Sequence, residues 1–302
     1  MDDAARGAIL VRYGLGLGDE LGHGGEAHVY ALDAHRVLRV HRHEAAVHVR
    51  RLAEFYATLD RPAVPYARPE VLEVHGDGAV SWSIERRLPG RALDGVIGAL
   101  QGSDRSVALT AYVDGAAAFR ALGLPSGWPG GCGELFTDEA LHADRWGDLL
   151  AASLGRQLDQ ARGILEGTVP RLDDVRSRVL GEARLEAATQ RSLVHGDWFP
   201  GNVLVGDDLR VSAAFDLGWL TVVGDPDHDV RSAVVFFEVR PWLQPGDADV
   251  LVAAARRHLG PQAAEEIDRT RRFEQARFAF VDEDEHVHTW CVAGLRAVAE
   301  EL

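Results

Sequence analysis

Residues 193–218, LVHGDWFPGNVLVGDDLRVSAAFDLG, contain three polar side chains whose types and spacing suit chemistry at a phosphate. Asp197 is followed after five residues by Asn202, the only asparagine of the 302-residue chain, and after nineteen by Asp216. Phosphoryl transfer from a nucleotide needs one carboxylate to orient a hydroxyl and accept its proton. It also needs an amide oxygen and a second carboxylate to hold Mg²⁺ against the phosphates. The segment predicts this chemistry, although short polar residues also cap turns.

The segment also resembles a known family, the aminoglycoside phosphotransferases, which are small-molecule kinases related to the protein kinases. Further similarity lies in FDLGWLTVVGDPDHDV and, more weakly, in LGHGGEAHVYAL, VLRV and LPGRAL. The resemblance implies that Asp197 is the catalytic base, that Asn202 and Asp216 bind Mg²⁺, and that ATP or GTP is the co-substrate. It also implies that three residues shape or hold the catalytic loop: His195, Gly196 and Asp229. We group His195 with the catalytic residues.

The nucleotide phosphates are predicted to bind at a glycine-rich turn and at an arginine. Gly22, Gly24 and Gly25 lie in a turn between two strands, where backbone N–H groups can approach phosphates closely. Protein kinases hold the α- and β-phosphates with a lysine on the next strand, but this chain has no lysine. The matching residue is Arg39, whose planar fork can bind two phosphate oxygens. Glu85, just before the hinge, is also predicted to line the nucleotide site.

The elements that must position these residues predict an α+β protein with a two-lobed, protein-kinase-like fold. Residues 17–40 read as short strands around glycine turns, and EVLEVHGDGAVSWSIERRL reads as a hairpin. Residues 44–59 place apolar side chains at helical spacing. We therefore expect residues 1–88 to form a nucleotide-binding lobe, a small antiparallel sheet with one main helix. Glu44 and Glu54 on this helix are both candidates for pairing with Arg39.

The rest of the chain, residues 89–302, is predicted to be a larger and mostly helical lobe that carries the acceptor-binding helices. LPGRALDG is the predicted hinge, and helical patterns begin near residue 104. Two short β-like runs, NVLVG and RVSAAFD, interrupt the helices. They bracket the polar motif, so a hairpin is expected to position it.

Charge and composition exclude several classes of function. The chain carries 32 arginines against 47 acidic residues, a net charge of −15, which argues against a nucleic-acid partner because phosphate binding requires clustered positive charge. No segment approaches the ~20 apolar residues that span a bilayer, and the N-terminus lacks the apolar run of a secretion signal. Two cysteines are too few for a disulfide framework or a thiolate zinc site. We expect a cytoplasmic monomer or homodimer.

Acidic side chains are the predicted recognition elements for a cationic acceptor. Carboxylates can accept charge-assisted hydrogen bonds from ammonium groups. The segment FAFVDEDEHVHTW contains a run of four that would otherwise be a solvated loop or helix start: Asp282, Glu283, Asp284 and Glu285. Core packing is the leading interpretation for most of the tryptophans, but Trp198 and Trp219 flank the catalytic motifs, and either is a candidate for the floor of the acceptor pocket.

The sequence leaves the acceptor open. The resemblance implies an aminoglycoside-type or other antibiotic as the leading class, and the negative charge of the chain is compatible with a cationic or neutral small molecule. A metabolic or biosynthetic kinase acting on a sugar, a choline-like alcohol, homoserine or a macrolide would use the same catalytic residues. A nucleotide-binding pseudokinase is favoured only by the missing lysine, and the complete set of Asp, Asn and Asp opposes it.

Overall fold

A five-stranded antiparallel sheet forms the N-terminal part of the computed structural model, which describes residues 3–23, 27–42, 46–59, 63–77 and 80–302. The strands follow the order β1-β2-β3-β5-β4. They are β1 (Glu20–His23), β2 (Ala27–Ala31), β3 (Arg36–His41), β4 (Val71–Asp77) and β5 (Val80–Arg86). Two helices accompany them, α1 (Asp3–Arg12) and α2 (Ala46–Thr58). The predicted helix over 44–59 corresponds to α2, whereas the sequence analysis did not predict α1.

Alternation along β3 explains how this sheet presents a charged side chain to one face. Leu38 and Val40 are fully buried and belong to a cluster that includes Ile9 and Leu10 of α1. Arg39 lies between them and therefore points to the opposite face, because successive side chains of a strand alternate. Helix α1 thus covers the apolar face, and the other face is left for the chemistry.

The C-terminal part is mostly helical and contains two small sheets. Its helices are α3 (Leu93–Ile97), α4 (Gly102–Phe119), α5 (Trp146–Leu165), α6 (Leu172–Leu185), α7 (His228–Phe236), α8 (Asp247–Leu259), α9 (Ala263–Arg277) and α10 (Glu285–Glu300). Its strands are β6 (Arg91–Ala92), β7 (Cys132–Glu134), β8 (His142–Ala143), β9 (Ser192–Val194), β10 (Val203–Val205), β11 (Val211–Ala214) and β12 (Val222–Gly224). This mixture of helices and antiparallel strands confirms the predicted α+β class.

Both small sheets contain strands that lie within or next to the polar motif. One has the order β11-β10-β6, so the predicted hairpin is present, and β6, which lies in the segment predicted to be the hinge, extends it. The other has the order β8-β7-β12-β9 and ends at β9, directly before His195. Within the described ranges, no helix is both long enough and apolar enough to cross a bilayer.

A buried ion pair fixes the helical scaffold that supports the motif. Arg105 of α4 donates from Nε and Nη2 to the carboxylate of Asp247 at the start of α8, over 2.6 to 3.0 Å. The two side chains are only 4% and 7% exposed. Arg105 also donates to the carbonyls of Ile97 and Trp242. Several groups hold this guanidinium in the interior. Loss of its partner carboxylate would therefore leave a buried charge without a counter-ion.

We expect Asp247→Ala to lower the free energy of unfolding by about 3 kcal/mol, because Arg105 then keeps its charge without a counter-ion. Asp249→Ala is the matched control: Asp249 lies in the same first turn but is exposed, so its loss should cost less than about 0.5 kcal/mol. Urea unfolding of both variants measures the difference, and equal destabilisation would contradict the assignment.

Candidate active site

A cleft of about 1110 Å³ lies between the five-stranded sheet and the helical part of the chain. Asp197, Asn202 and Asp216 line it, and Gly22 and Arg39 line it from the sheet. Glu85 lines it as well, so six of the residues predicted from sequence for the nucleotide or the transferred group meet in one place.

The loop that carries Asp197 is held by a buried carboxylate. Asp229 of α7 accepts hydrogen bonds from the backbone N–H of His195 at 2.7 Å and of Gly196 at 2.9 Å, as the sequence analysis expected. Burial raises the pKa of Asp229, although the nearby His195 and the two N–H donors lower it. Gly196 has φ +79°, and a Cβ there would lie 2.0 Å from the Leu220 carbonyl oxygen. This position therefore requires glycine.

The ring of His195 positions the loop from inside the protein. It is fully buried, its Nε2 donates to the Phe215 carbonyl at 2.8 Å, and its Nδ1 accepts from the Asp197 N–H at 3.3 Å. Burial lowers the pKa of His195, against the opposing effect of Asp229. A neutral ring with its proton on Nε2 satisfies both contacts. His195 does not line the cleft, so the structure places it as a positioning residue, which corrects our grouping of it with the catalytic residues.

The β10–β11 hairpin explains why Asn202 and Asp216 meet although fourteen residues separate them. Val203 pairs with Ala214, so the residue before β10 and the residues after β11 lie at the same end of the hairpin. The backbone N–H of Phe215 donates to the Asn202 carbonyl at 3.1 Å and closes this end. The spacing is thus the length of one antiparallel hairpin.

Asn202 also orients the side chain of Asp197. Its Nδ2 donates to Oδ2 of Asp197 at 3.0 Å and to the Asp197 carbonyl at 3.1 Å. The nitrogen end of the amide is therefore turned toward Asp197, and the oxygen end is the one with the right chemistry for a cation. A single side chain can in this way fix the carboxylate and supply an oxygen ligand.

Asp216 lies at the point where the two parts of the chain make contact across the cleft. It has φ +70°, which is uncommon for a residue other than glycine and is often retained at functional sites. Its Oδ1 accepts from Nη2 of Arg39 at 3.0 Å. Burial alone would lower the pKa of Arg39, but the carboxylates of Asp216 and Glu85 reverse this effect and raise it. These carboxylates therefore favour the charged guanidinium of Arg39.

The oxygen atoms in this corner of the cleft fit Mg²⁺. Asp216 offers a carboxylate and Asn202 an amide oxygen, the hard ligands that Mg²⁺ prefers. Among the described residues, no group of three or more His, Cys, Asp or Glu side chains forms a metal site. A nucleotide-bound Mg²⁺ needs only one or two protein ligands, since phosphates and water supply the others. The donor set thus suits a metal that arrives with the nucleotide.

Other predicted nucleotide-site residues have mixed outcomes. Glu85 lines the cleft and lies close enough to Arg39 to raise its pKa. Gly24, Gly25 and Glu44 lie outside the described residues. The assignment of residues 1–88 and 89–302 to separate lobes remains a prediction.

Two predictions about the acceptor side are corrected by the structure. Trp198 is fully buried, donates from Nε1 to the Tyr112 carbonyl at 3.2 Å and packs in the apolar core, so it does not form the floor of the cleft. Of the acidic run, only Asp284 lines the cleft. It accepts from the N–H groups that begin α10, and this cap fixes its direction. The other three acidic residues are exposed away from the cleft: Asp282, Glu283 and Glu285.

Two contacts that support the site have no signal in the sequence. Arg277, at the end of α9, donates from Nη1 to the Gly196 carbonyl at 3.3 Å, beside Asp197. Tyr56 of α2 donates to the Leu217 carbonyl at 3.3 Å, next to Asp216. Both side chains come from elements far away in the chain, and neither belongs to a motif.

This fold and site define a class of enzymes, the phosphotransferases with a protein-kinase-like architecture. The sequence profile of the phosphotransferase enzyme family matches residues 19–273. The chain therefore belongs to this family and is a small-molecule O-phosphotransferase. The match confirms the resemblance recognised in the sequence. The comparison with curated proteins gave no match.

Solved structures of such enzymes share the fold. The gentamicin complex of APH(2")-IIa superposes with a TM-score of 0.65 at 14% identity and covers 98% of this chain and 96% of that chain. ADP-bound aminoglycoside phosphotransferase APH(2'')-Ib gives 0.61 at 14% identity, with 99% and 98% covered. Macrolide 2'-phosphotransferase MphH from Brachybacterium faecium gives 0.53 at 18% identity, with 96% and 97% covered. At these identities the likeness confirms the predicted fold.

The buried His195 generates a prediction about pH. Its folded pKa lies below its unfolded value near 6.5, so its contribution to stability is complete above pH 6.5 and is lost as pH falls toward the folded pKa. This residue alone should lower the free energy of unfolding by at most about 1.4 kcal/mol per pH unit in that range. His195→Gln should lack this increment. Urea unfolding between about pH 7.5 and 5.5 measures it, and identical pH slopes for the two proteins would contradict the account.

Proposed function

We propose that this protein transfers the γ-phosphate of ATP or GTP to a hydroxyl group of a small molecule. Asp197 is the proposed general base, and Asn202 and Asp216 are the proposed ligands of Mg²⁺. The observation that carries this proposal is the convergence of these three side chains with Arg39 in one cleft. This convergence also opposes a pseudokinase, which has no need of the complete set.

In the proposed reaction, each side chain has a task that its contacts suit. Asp197 receives the acceptor hydroxyl and takes its proton, and the amide of Asn202 holds the carboxylate in place. Arg39 binds phosphate oxygens with its planar fork while remaining close to Asp216. A bound Mg²⁺ would neutralise charge on the β- and γ-phosphates. Positioning and electrostatics account for most catalysis of this kind.

The proposed co-substrate is a nucleoside triphosphate, because a phosphate-binding arginine and Mg²⁺ ligands meet beside the proposed base. Solved structures that share this fold include an ADP-bound APH(2'')-Ib, a streptomycin–ATP complex of APH(2")-IIa and a GDP complex of aminoglycoside 2'-phosphotransferase-IIIa. These relatives support a nucleotide in the cleft and leave both ATP and GTP open for this chain.

The acceptor is a small molecule, and antibiotics are the first compounds to test. Gentamicin, streptomycin and kanamycin are bound in structures that share the fold, and a macrolide phosphotransferase shares it too. The net charge of −15 favours a cationic acceptor in solution. A metabolic or biosynthetic alcohol is the alternative, with the same catalytic residues. Release of nucleoside diphosphate over a panel of acceptors, measured in a coupled assay, tests the function.

We expect Asp197→Asn to lower kcat by about 10²–10⁴ and to leave nucleotide affinity nearly unchanged, because the base acts on the acceptor and not on the nucleotide. Asp207→Asn is the matched control, since Asp207 is exposed and does not line the cleft. Steady-state kinetics and nucleotide titration give the two readouts. If Asp197→Asn keeps more than about a tenth of kcat, Asp197 is not the base.

The metal assignment predicts a difference between two variants. Asp216→Ala should lose the gain in nucleotide affinity that Mg²⁺ provides, and should bind metal-free nucleotide at least as well as the wild type. Arg39→Ala should bind nucleotide more weakly with and without Mg²⁺, because it loses a contact to the phosphates themselves. Titration with and without a chelator measures both. A wild-type affinity that does not respond to Mg²⁺ would contradict the assignment.

A further inference from the structure

The walls of the cleft have a charge balance that differs from that of the whole chain. The chain has a net charge of −15, yet the described residues of the cleft carry as many arginines as carboxylates. The five carboxylates are Glu85, Asp94, Asp197, Asp216 and Asp284. The five arginines are Arg39, Arg86, Arg87, Arg91 and Arg240. The excess negative charge therefore lies outside these walls, where it can attract a cation to the protein but cannot hold it in place.

The part of the cleft formed by the C-terminal helices is mostly apolar, and its charged side chains are Arg240 and Asp284. Its side chains come from the catalytic loop, from α7 and from the region of α9 and α10: Phe199, Phe236, Phe278, Val281, Val287 and Trp290. We call these six residues the apolar wall. Phe236 is only 2% exposed, so it supports the wall through the rings of Phe199 and Phe278. The ring centroids of Phe199 and Phe236 are 5.9 Å apart, and those of Phe236 and Phe278 are 5.7 Å apart. Phe199 and Asp197 both line the cleft and are two residues apart, so the wall begins close to the proposed base.

Asp284, which lies between the wall residues Val281 and Val287 in the chain, already has partners. Asp284 pairs with Arg240 and accepts hydrogen bonds from the N–H groups of His286 at 3.1 Å and Val287 at 3.3 Å. Its charge is therefore largely compensated within the protein. Asp94 is the other carboxylate near the catalytic loop. Its Oδ2 is so close to Gly201 that a Cβ added there would lie 3.2 Å from it. Each ammonium group of a polycation needs its own hydrogen-bond acceptors once it leaves water. These walls offer few.

We propose that the acceptor is a hydroxylated molecule with an apolar body and at most one positive charge. Its apolar face packs against the apolar wall, and its hydroxyl reaches Asp197. This inference rests on the proposed function and names its acceptor class. The acceptor oxygen forms a bond to the γ-phosphorus and gives its proton to Asp197, while the bond from the γ-phosphorus to the β–γ bridging oxygen breaks. Nucleoside diphosphate leaves with that electron pair.

The first test compares two acceptors on the wild-type protein. Erythromycin, with one amino group, represents the proposed class, and kanamycin represents the polycations. We expect a kcat/KM for erythromycin at least about tenfold above that for kanamycin. We also expect its KM not to rise between about 0.05 and 0.5 M salt, because apolar contacts are not screened. A higher kcat/KM for kanamycin, or an erythromycin KM that rises steeply with salt, would overturn the inference.

The second test uses a matched pair of phenylalanines. Phe278→Ala removes a ring from the apolar wall. Phe280→Ala removes a ring two residues further on. This ring is also half-buried, but it does not line the cleft, and its centroid lies 5.7 Å from that of Trp219. We expect only Phe278→Ala to raise the erythromycin KM, by about tenfold, with nucleotide KM unchanged in both variants. Thermal unfolding of both variants controls for stability. Equal effects of the two variants on the erythromycin KM would overturn the inference.

Equilibrium binding separates a failure of this inference from a failure of the proposed function. Calorimetric titration of each acceptor into the protein saturated with ADP does not depend on turnover. Binding of erythromycin in preference to kanamycin supports the inference even if no diphosphate is released, and the absence of release then counts against the proposed function alone. Binding of kanamycin in preference, or of neither compound, overturns the inference.

Discussion

The ion pair between Arg39 and Asp216 is the contact on which the arrangement of the cleft depends. It joins side chains 177 residues apart, one on strand β3 and one after strand β11, over 3.0 Å. Both are partly shielded from water, where an unpaired charge would be costly. The pair therefore brings the proposed phosphate ligand and the proposed metal ligand to one point. The nucleotide would then bind where both parts of the chain already meet.

The other contacts of the site fix the position of Asp197 relative to the ion pair between Arg39 and Asp216. Asp229 accepts hydrogen bonds from the backbone of the loop that carries Asp197. The left-handed backbone of Gly196 lets this loop pass within contact distance of Leu220. The neutral ring of His195 ties Asp197 to Phe215, one residue before Asp216. The proposed base and the proposed metal ligand Asp216 thus belong to two loops that share a single buried imidazole, and movement of one loop would displace the other.

The sequence predicted the centre of the site because its geometry is local. Asn202 and Asp216 flank one hairpin, so their spacing carries the information. Trp198 and the acidic run are different, because proximity along the chain says nothing about direction. The turn after Asp197 points Trp198 into the core, and the start of α10 directs only Asp284 into the cleft. Likewise, the net charge of a chain does not show which surface carries the excess charge. No motif predicts that Arg277 donates to the Gly196 carbonyl.

The central claim is that the acceptor hydroxyl attacks the γ-phosphorus directly, with Asp197 as base and never as nucleophile. The stereochemistry at phosphorus tests it most directly. A nucleotide made chiral at its γ-thiophosphate is turned over with the acceptor, and the configuration of the product is determined. One in-line displacement predicts inversion. Retention would require two displacements through a covalent phosphoenzyme, and would contradict the account.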